Sequence, residues 1–417
     1  MCRRNFLKKI KVIMLMVVVA VVSCGNGGTW GQRNCFASSY NVDENREILT
    51  VNANNTGELP ITAKSAILME ASTGKVLYEK EADQIVSPAS ITKIMTLILI
   101  FDAIEAGKID YEDIVTPSEH AKSMGGSQVF LETGEQQTVE TLIKCIVIAS
   151  GNDASVCMAE YIAGSEEAFV AMMNRRAQEL HMTNTVFQDC CGLNDTMEHH
   201  TSARDVAIMS RELITKYPQI HQYSTIWMEN IIHVTDKGSK EFTLANTNKL
   251  LKQYEWTTGL KTGSTSLAKY CLSATACKDD INLIAVIMGA PDYKARFSEA
   301  LTLLNYGYSV IDIYHDSNEE LASQVKIKNG VKDSIGITVE GEFSYVCDKN
   351  EDSAEIHKTV DLKNKLVAPV KKGETIGTIT YYIGDKTIGS IDIIATDEVK
   401  KTGYVDYLKK IWYKYMV

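Results

Sequence analysis

The sequence predicts an α+β fold, on three observations. Between residues 59 and 318, β-rich runs stand at both ends and helical patterns fill the middle. One antiparallel sheet is therefore expected to gather the two ends, with a helical region between them. From 319 to 398, short alternating apolar segments are separated by Gly, Asn and Asp turns, the pattern of a small β-sandwich. Residues 399–417 end in Tyr404, Leu408, Ile411, Trp412 and Tyr415 at helical spacing, with Lys409, Lys410 and Lys414 among them. Such a basic amphipathic helix either lies on a membrane surface or docks on the β-domain.

Taken in order, Ile67-Leu68-Met69 and Val76-Leu77-Tyr78 flank Ser72-Thr73-Gly74-Lys75, a strand-turn-strand signal. Ser87-Pro88 then precedes an apolar run from Ile94 to Phe101, a buried helix, with Ser87 as its expected cap and Pro88 at its first position. A second helix is expected from Thr138 to Ala149, ending at Ser150-Gly151-Asn152. Glu166 to Leu180 and Ser202 to Thr215 read as amphipathic helices. Tyr270 to Cys277 and Leu283 to Met288 form a second hairpin through Lys278-Asp279-Asp280, and a helix from about Ala295 to Tyr308 closes the region.

The N-terminus carries Arg3, Arg4, Lys8, Lys9 and Lys11 ahead of an apolar run from Val12 to Val22. A basic start and an apolar core of about a dozen residues predict a signal segment over 1–24, too short to span a membrane. Two cleavage readings stand. Val21-Val22-Ser23-Cys24 resembles a lipobox, which would leave a lipid on Cys24; ordinary cleavage would fall further on, within Cys35 to Ser38. Residues 25–58, rich in Gly, Asn, Ser and Thr, read as a flexible tether.

A net charge of −10, with no basic tract in the folded part, argues against nucleic acid as a partner. The ten cysteines form no C-x-x-C pair, and the eight histidines include no H-E-x-x-H. No metal and no cofactor are expected. Cys145, Cys157 and Cys271 lie in apolar segments and read as buried thiols.

Chemistry is sought in a serine activated by a lysine. Four S-x-x-K quartets occur: Ser72/Lys75, Ser90/Lys93, Ser266/Lys269 and Ser323/Lys326. Only Ser90/Lys93 falls at a helix start, where a three-residue separation puts both side chains on one face. First-turn N–H groups lack helical partners, so that of Ser90 can face a developing oxyanion. The apolar helix beyond would desolvate Lys93 and lower its pKa, as a neutral amine base requires. Taken alone, the same letters also describe a plain helix start with a solvated lysine.

Ser150-Gly151-Asn152 puts a hydroxyl and an amide two residues apart at a helix–loop junction, suited to proton relay and to a substrate peptide group, or simply to a turn. Lys261-Thr262-Gly263 is expected on or near a strand edge, where an ammonium and a hydroxyl suit a substrate carboxylate. Gly263 would leave room for a substrate backbone, and the N–H of Ser264 would be a second oxyanion donor. The second Lys-Thr-Gly, at 401–403, reads as a linker.

S-x-x-K, S-x-N and K-T-G in this order form the motif set of penicillin-binding proteins and class A β-lactamases. The sequence most resembles the D-alanyl-D-alanine carboxypeptidases among the low-molecular-mass penicillin-binding proteins. The resemblance runs through Ser87–Thr96, Ser150–Ala154, His200–Asp205, Gly259–Gly263, Arg296 and Asn305-Tyr306-Gly307. It implies a β-lactamase/transpeptidase-like catalytic domain over 59–318, with the β-domain and tail following. It implies Ser90, Lys93 and Ser150 as catalytic residues, and Asn152, Lys261, Thr262, Gly263, Ser264 and Arg296 as substrate contacts. The substrate implied is the peptidoglycan stem peptide, cut after export at the outer face of the cytoplasmic membrane, with β-lactams as acylating inhibitors. One departure stands out: where some members carry N-R-N before the K-T-G box, this chain reads Asn246-Thr247-Asn248. Rival readings are a D,D-endopeptidase or β-lactamase using the same site, and a non-catalytic wall-binding lipoprotein.

Overall fold

The structure, a computed structural model, describes residues 59–416 apart from 236–237, 322, 349–354 and 364. The expected signal segment, Cys24 and the tether lie outside the described residues.

A single sheet divides two apolar cores. It contains β1 (Ser65–Glu70) and β2 (Val76–Lys80) from the start of the region. From its end come β7 (Thr257–Thr265), β8 (Lys269–Lys278) and β9 (Ile281–Ala290). Their order is β2-β1-β9-β8-β7, every pair antiparallel. Alternation does the sorting, because successive strand side chains face opposite ways. Ile67 and Met69 of β1, with Ile284, Val286 and Met288 of β9, join the larger core on the helical side. Ala66, Leu68, Leu283, Ala285 and Ile287 face a second core with Leu303 and Leu304 of the helix Ala295–Val310.

Between β2 and β7 the chain builds the helical region. A 3₁₀ turn at Ala89–Thr92 runs into α1 (Lys93–Glu105), in which every residue from Lys93 to Phe101 is buried. A helix apolar all round belongs in a core, and each fully buried Leu or Ile contributes roughly 1.5–3 kcal/mol. There follow β3 (Ile114–Val115), α2 (Glu119–Ser123), β4 (Gln137–Thr138), α3 (Val139–Val147), α4 (Asn152–Ala163), α5 (Glu166–Glu179), α6 (Ala203–Lys216) and α7 (Ile220–Ser224). Ser118, Thr138, Ser165 and Ser202 each cap the helix after them with a side-chain oxygen. A hairpin, β5 (Met228–Thr235) and β6 (Gly238–Ala245), then leads back towards β7.

The first helix begins differently from expectation. Pro88, not Ser87, stands at the cap, without a side-chain cap bond, and the Ser87 hydroxyl is buried with no partner among the described residues. The second expected helix stops at Val147, and Asn152 opens a further helix rather than lying in a terminal turn.

Beyond the sheet, α8 (Ala295–Val310) passes directly into β10 (Ile311–Asp316). The small all-β part holds β11 (Gln324–Lys326), β12 (Ser334–Val339), β13 (Phe343–Asp348), β14 (Ile356–Leu362), β15 (Thr375–Ile383) and β16 (Lys386–Ala395). Its main sheet runs β11-β12-β16-β15-β14, while β10 pairs with β13 and so ties this part to the helix before it. Its core centres on Ile335, Ile376, Ile379, Tyr381, Ile393 and Val399. The chain closes in α9 (Tyr404–Met416).

Candidate active site

Lys93 is the first residue of α1 and is fully buried, so its amine lies where the 3₁₀ turn meets the core. Its Nζ has three neighbours: Ser90 Oγ at 3.0 Å, Asn152 Oδ1 at 2.6 Å and the Cys191 carbonyl oxygen at 2.7 Å. Two of the three can only accept. A neutral amine would give its two protons to Asn152 and Cys191, leaving its lone pair opposite the Ser90 hydroxyl. Burial pushes the Lys93 pKa down, against the opposing pull of nearby acidic groups.

Across from this group lies β7, the edge strand. Lys261 Nζ donates to Ser150 Oγ at 2.9 Å and to the Thr262 carbonyl at 3.1 Å. Burial, reinforced by the positive charges of Lys93 and Arg296, holds the Lys261 pKa well below the usual lysine range. Ser150 sits between α3 and α4 in the left-handed region, φ +61°. Ala89, just before Ser90, is there too, at φ +48°. Such conformations cost a non-glycine residue energy and persist only where surrounding contacts enforce them.

The structure therefore forms two hydrogen-bonded groups, Ser90 and Asn152 on the Lys93 amine and Ser150 on that of Lys261, near enough for the Lys93 charge to act on Lys261. The Asn152 side chain is committed at both ends, its Nδ2 donating to the Gly125 carbonyl at 2.7 Å. Thr262 meets the Thr247 hydroxyl at 2.7 Å. At Gly263 the open space is taken by the Ser90 turn: a Cβ there would come within 2.9 Å of the Pro88 carbonyl oxygen and 3.1 Å of the Ile91 nitrogen. Ser264 follows on the exposed part of β7. Arg296 is buried at the start of α8, donating to the Gly263 carbonyl at 3.2 Å among the rings of Tyr270, Tyr293 and Phe297. The other Lys-Thr-Gly lies just before α9, remote in sequence from these partners.

A model of the D-alanyl-D-alanine carboxypeptidase family matches residues 51–292. The chain belongs to that family. A model of the C-terminal domain of penicillin-binding protein 5 matches residues 308–401. The D-alanyl-D-alanine carboxypeptidase DacF of Bacillus subtilis is 42% identical over 85% of this chain and 90% of its own length. DacC of Escherichia coli is 34% identical over 84% and 88%. Among solved structures, penicillin binding protein 5 from Haemophilus influenzae superposes with a TM-score of 0.64 at 30% identity, covering 83% of this chain and all of that one. Penicillin binding protein 6B from Escherichia coli gives 0.63 at 31%, covering 84% and 99%. The protein is a serine-type D-alanyl-D-alanine carboxypeptidase and a penicillin-binding protein.

Around the candidate site of this carboxypeptidase stands a support that the sequence did not announce. The loop 188–194 is gathered on the carboxylate of Asp189, which accepts from the backbone N–H groups of Cys191, Gly192, Leu193 and Asn194. The loop presents the Cys191 carbonyl to Lys93 and packs Gly192 against the turn. A Cβ at Gly192 would fall 1.8 Å from the Ala89 carbonyl oxygen, and its φ is +77°. From behind, Gln188 N–H donates to His199 Nδ1 at 3.1 Å, and His199 Nε2 meets the Thr92 hydroxyl at 2.8 Å. That hydroxyl donates in turn to the Ala89 carbonyl at 2.8 Å. These partners fit only neutral His199 with its proton on Nε2, and burial lowers its pKa accordingly. The left-handed backbone beside Ser90 is thus held from two sides.

Proposed function

We propose that Ser90 is the residue acylated when this carboxypeptidase removes the terminal D-alanine from a peptidoglycan pentapeptide stem. Lys93 takes the Ser90 hydroxyl proton as Oγ bonds to the carbonyl carbon between the last two D-alanines. The backbone N–H groups of Ser90 and Ser264 receive the negative charge that develops on the carbonyl oxygen. The carbon–nitrogen bond then breaks, and the proton passes through Ser150 to the departing amine. Free D-alanine leaves an ester on Ser90. Water attacks that ester, gives a proton to Lys93, and Ser90 regains its hydroxyl. Lys261, Thr262 and Arg296 supply the positive and hydroxyl environment for the terminal carboxylate, with Asn152 and Gly263 shaping the cleft beside the peptide. Penicillin enters by the same route, its strained amide replacing the scissile peptide.

The observation that carries this assignment is the three-neighbour setting of the Lys93 amine, in which Ser90 is the one partner able to donate a proton. β7 also stands last in the strand order of its sheet, the position at which an extended peptide adds as a further strand. The test is release of free D-alanine from a pentapeptide stem. Wild type should release it and leave cross-linked dimers intact, whereas Ser90→Ala should release none above background. Dimer cleavage by the wild type would mean an endopeptidase instead.

We further propose that the chain works outside the cytoplasmic membrane, with α9 on the membrane surface. What supports this is the exposure of Tyr404, Val405, Leu408, Ile411 and Trp412 along that helix. Among the described residues no helix is long and apolar enough to cross a membrane, so the reading is of surface attachment. A lipid on Cys24 would be a second anchor.

A further inference from the structure

The departure at Asn246-Thr247-Asn248 leads to a residue outside the expected site. We propose that Thr247 is a positioning residue for carboxylate recognition, its hydroxyl donating to Thr262 Oγ1 so that the Thr262 proton is directed at the substrate's terminal carboxylate. The proposal rests on the reading of Thr262 as a carboxylate contact given above.

The two hydroxyl oxygens lie 2.7 Å apart, and either can be the donor. The backbone on both sides of Thr247 is held by the side-chain amides of Asn246 and Asn248. The Asn246 amide donates to the carbonyls of Ser224 and Ile226, at 3.2 and 2.8 Å, while its oxygen accepts from Asn248 N–H at 2.9 Å. The Asn248 amide donates to the Gly259 carbonyl on β7 at 2.9 Å, and its oxygen accepts from Leu250 N–H at 3.1 Å. Thr247 N–H itself reaches the Ile148 carbonyl at 3.3 Å, two residues before Ser150.

Two links therefore cross the cleft side by side. One runs from Ser150 through the Lys261 amine; the other runs from Ile148 through Thr247 to Thr262. A hydroxyl that accepts one hydrogen bond donates a stronger one, since chained hydrogen bonds polarise each other. With Thr247 donating, Thr262 has its proton free for an anion. With the direction reversed, Thr262 would offer a carboxylate only lone pairs, which repel it. An anion in the cleft selects the first arrangement. A short neutral side chain at 247 thus works through the threonine of the K-T-G box and leaves the charge to Lys261 and Arg296.

The test uses the full chain and a matched pair of probes: benzylpenicillin, with its free carboxylate, and its methyl ester. Second-order acylation rates are read by intact mass for wild type, Thr247→Val, Thr247→Ser and Thr262→Val. The proposal expects Thr247→Val to slow acylation by the acid about tenfold, the worth of one hydrogen bond to a charged group. The ester rate should be unchanged, and Thr247→Ser should restore the acid rate. D-alanine release by Thr247→Val should show the loss in KM more than in kcat. An equal loss on acid and ester would make Thr247 a structural residue and overturn the proposal. So would an unchanged acid-to-ester ratio in Thr247→Val while Thr262→Val loses discrimination; in that case the reading of Thr262 survives. If neither variant changes the ratio, Thr262 does not read the carboxylate and both ideas fall.

Discussion

At the scale of single residues, the site turns on an amine placed where water cannot reach it. Lys93 gains three hydrogen-bond partners but sits at the first turn of a core helix, and burial lowers its pKa. The sign of the pH dependence follows. Below the lowered pKa the amine carries a proton and cannot accept one from Ser90, so kcat/KM for D-alanine release should fall towards acid, tenfold per pH unit once below the midpoint. That midpoint should lie below the ordinary lysine range, and Lys93→Ala should lower the rate roughly a hundred- to ten-thousand-fold and abolish this limb. A pH–rate profile of both proteins checks it; an acidic limb that persists in the variant would assign the ionisation elsewhere. The Ser90, Lys93, Ser150 and Lys261 cluster was legible because each position uses a side chain in a recurring spacing. Cys191 was not, because it serves Lys93 through a backbone carbonyl, which any residue supplies. His199 was hidden for a related reason: it acts two hydrogen bonds away from the Ala89 backbone, with no spacing to mark it.

At the scale of elements, legibility followed the clarity of alternation. β8 and β9 are buried on both faces and read as long apolar runs, so their hairpin stood out. β5 and β6 escaped because their outer face carries exposed Met228, Ile232 and Val234, while only a few of their residues are buried. That composition blurs the apolar-in, polar-out signal. α4 escaped because Ser150-Gly151-Asn152 resembles a helix end; the left-handed Ser150 turns the chain so that Gly151 instead starts a new helix. The start of α1 was misread at Ser87, since the positive φ of Ala89 interposes a tight turn between Pro88 and the helix. α9 yields a prediction of its own. Leu408→Asp with Trp412→Asp should weaken flotation with anionic lipid vesicles, because it puts charge on the apolar face. Release of D-alanine from a soluble pentapeptide should stay at the wild-type rate. Undiminished flotation of this variant would remove α9 from the role of anchor.

For the whole molecule, the sheet explains how distant parts of the sequence make one cleft. β7 comes from the end of the catalytic region and lies at the sheet edge, where Gly263 lets it close on the turn bearing Ser90. The helical region fills the other side and brings Ser150 to the Lys261 amine and Asn152 to that of Lys93. α8 runs on without a break into β10, whose pairing with β13 couples the all-β part to the catalytic region. On the proposal above, this assembly makes Ser90 the nucleophile. Intact-mass measurement after incubation with benzylpenicillin, followed by peptide mapping, tests it most directly. One penicilloyl adduct per chain is expected, located on Ser90 and missing from Ser90→Ala. An adduct of equal yield in Ser90→Ala, or one mapped to another residue of the wild type, would mean that Ser90 is not the nucleophile.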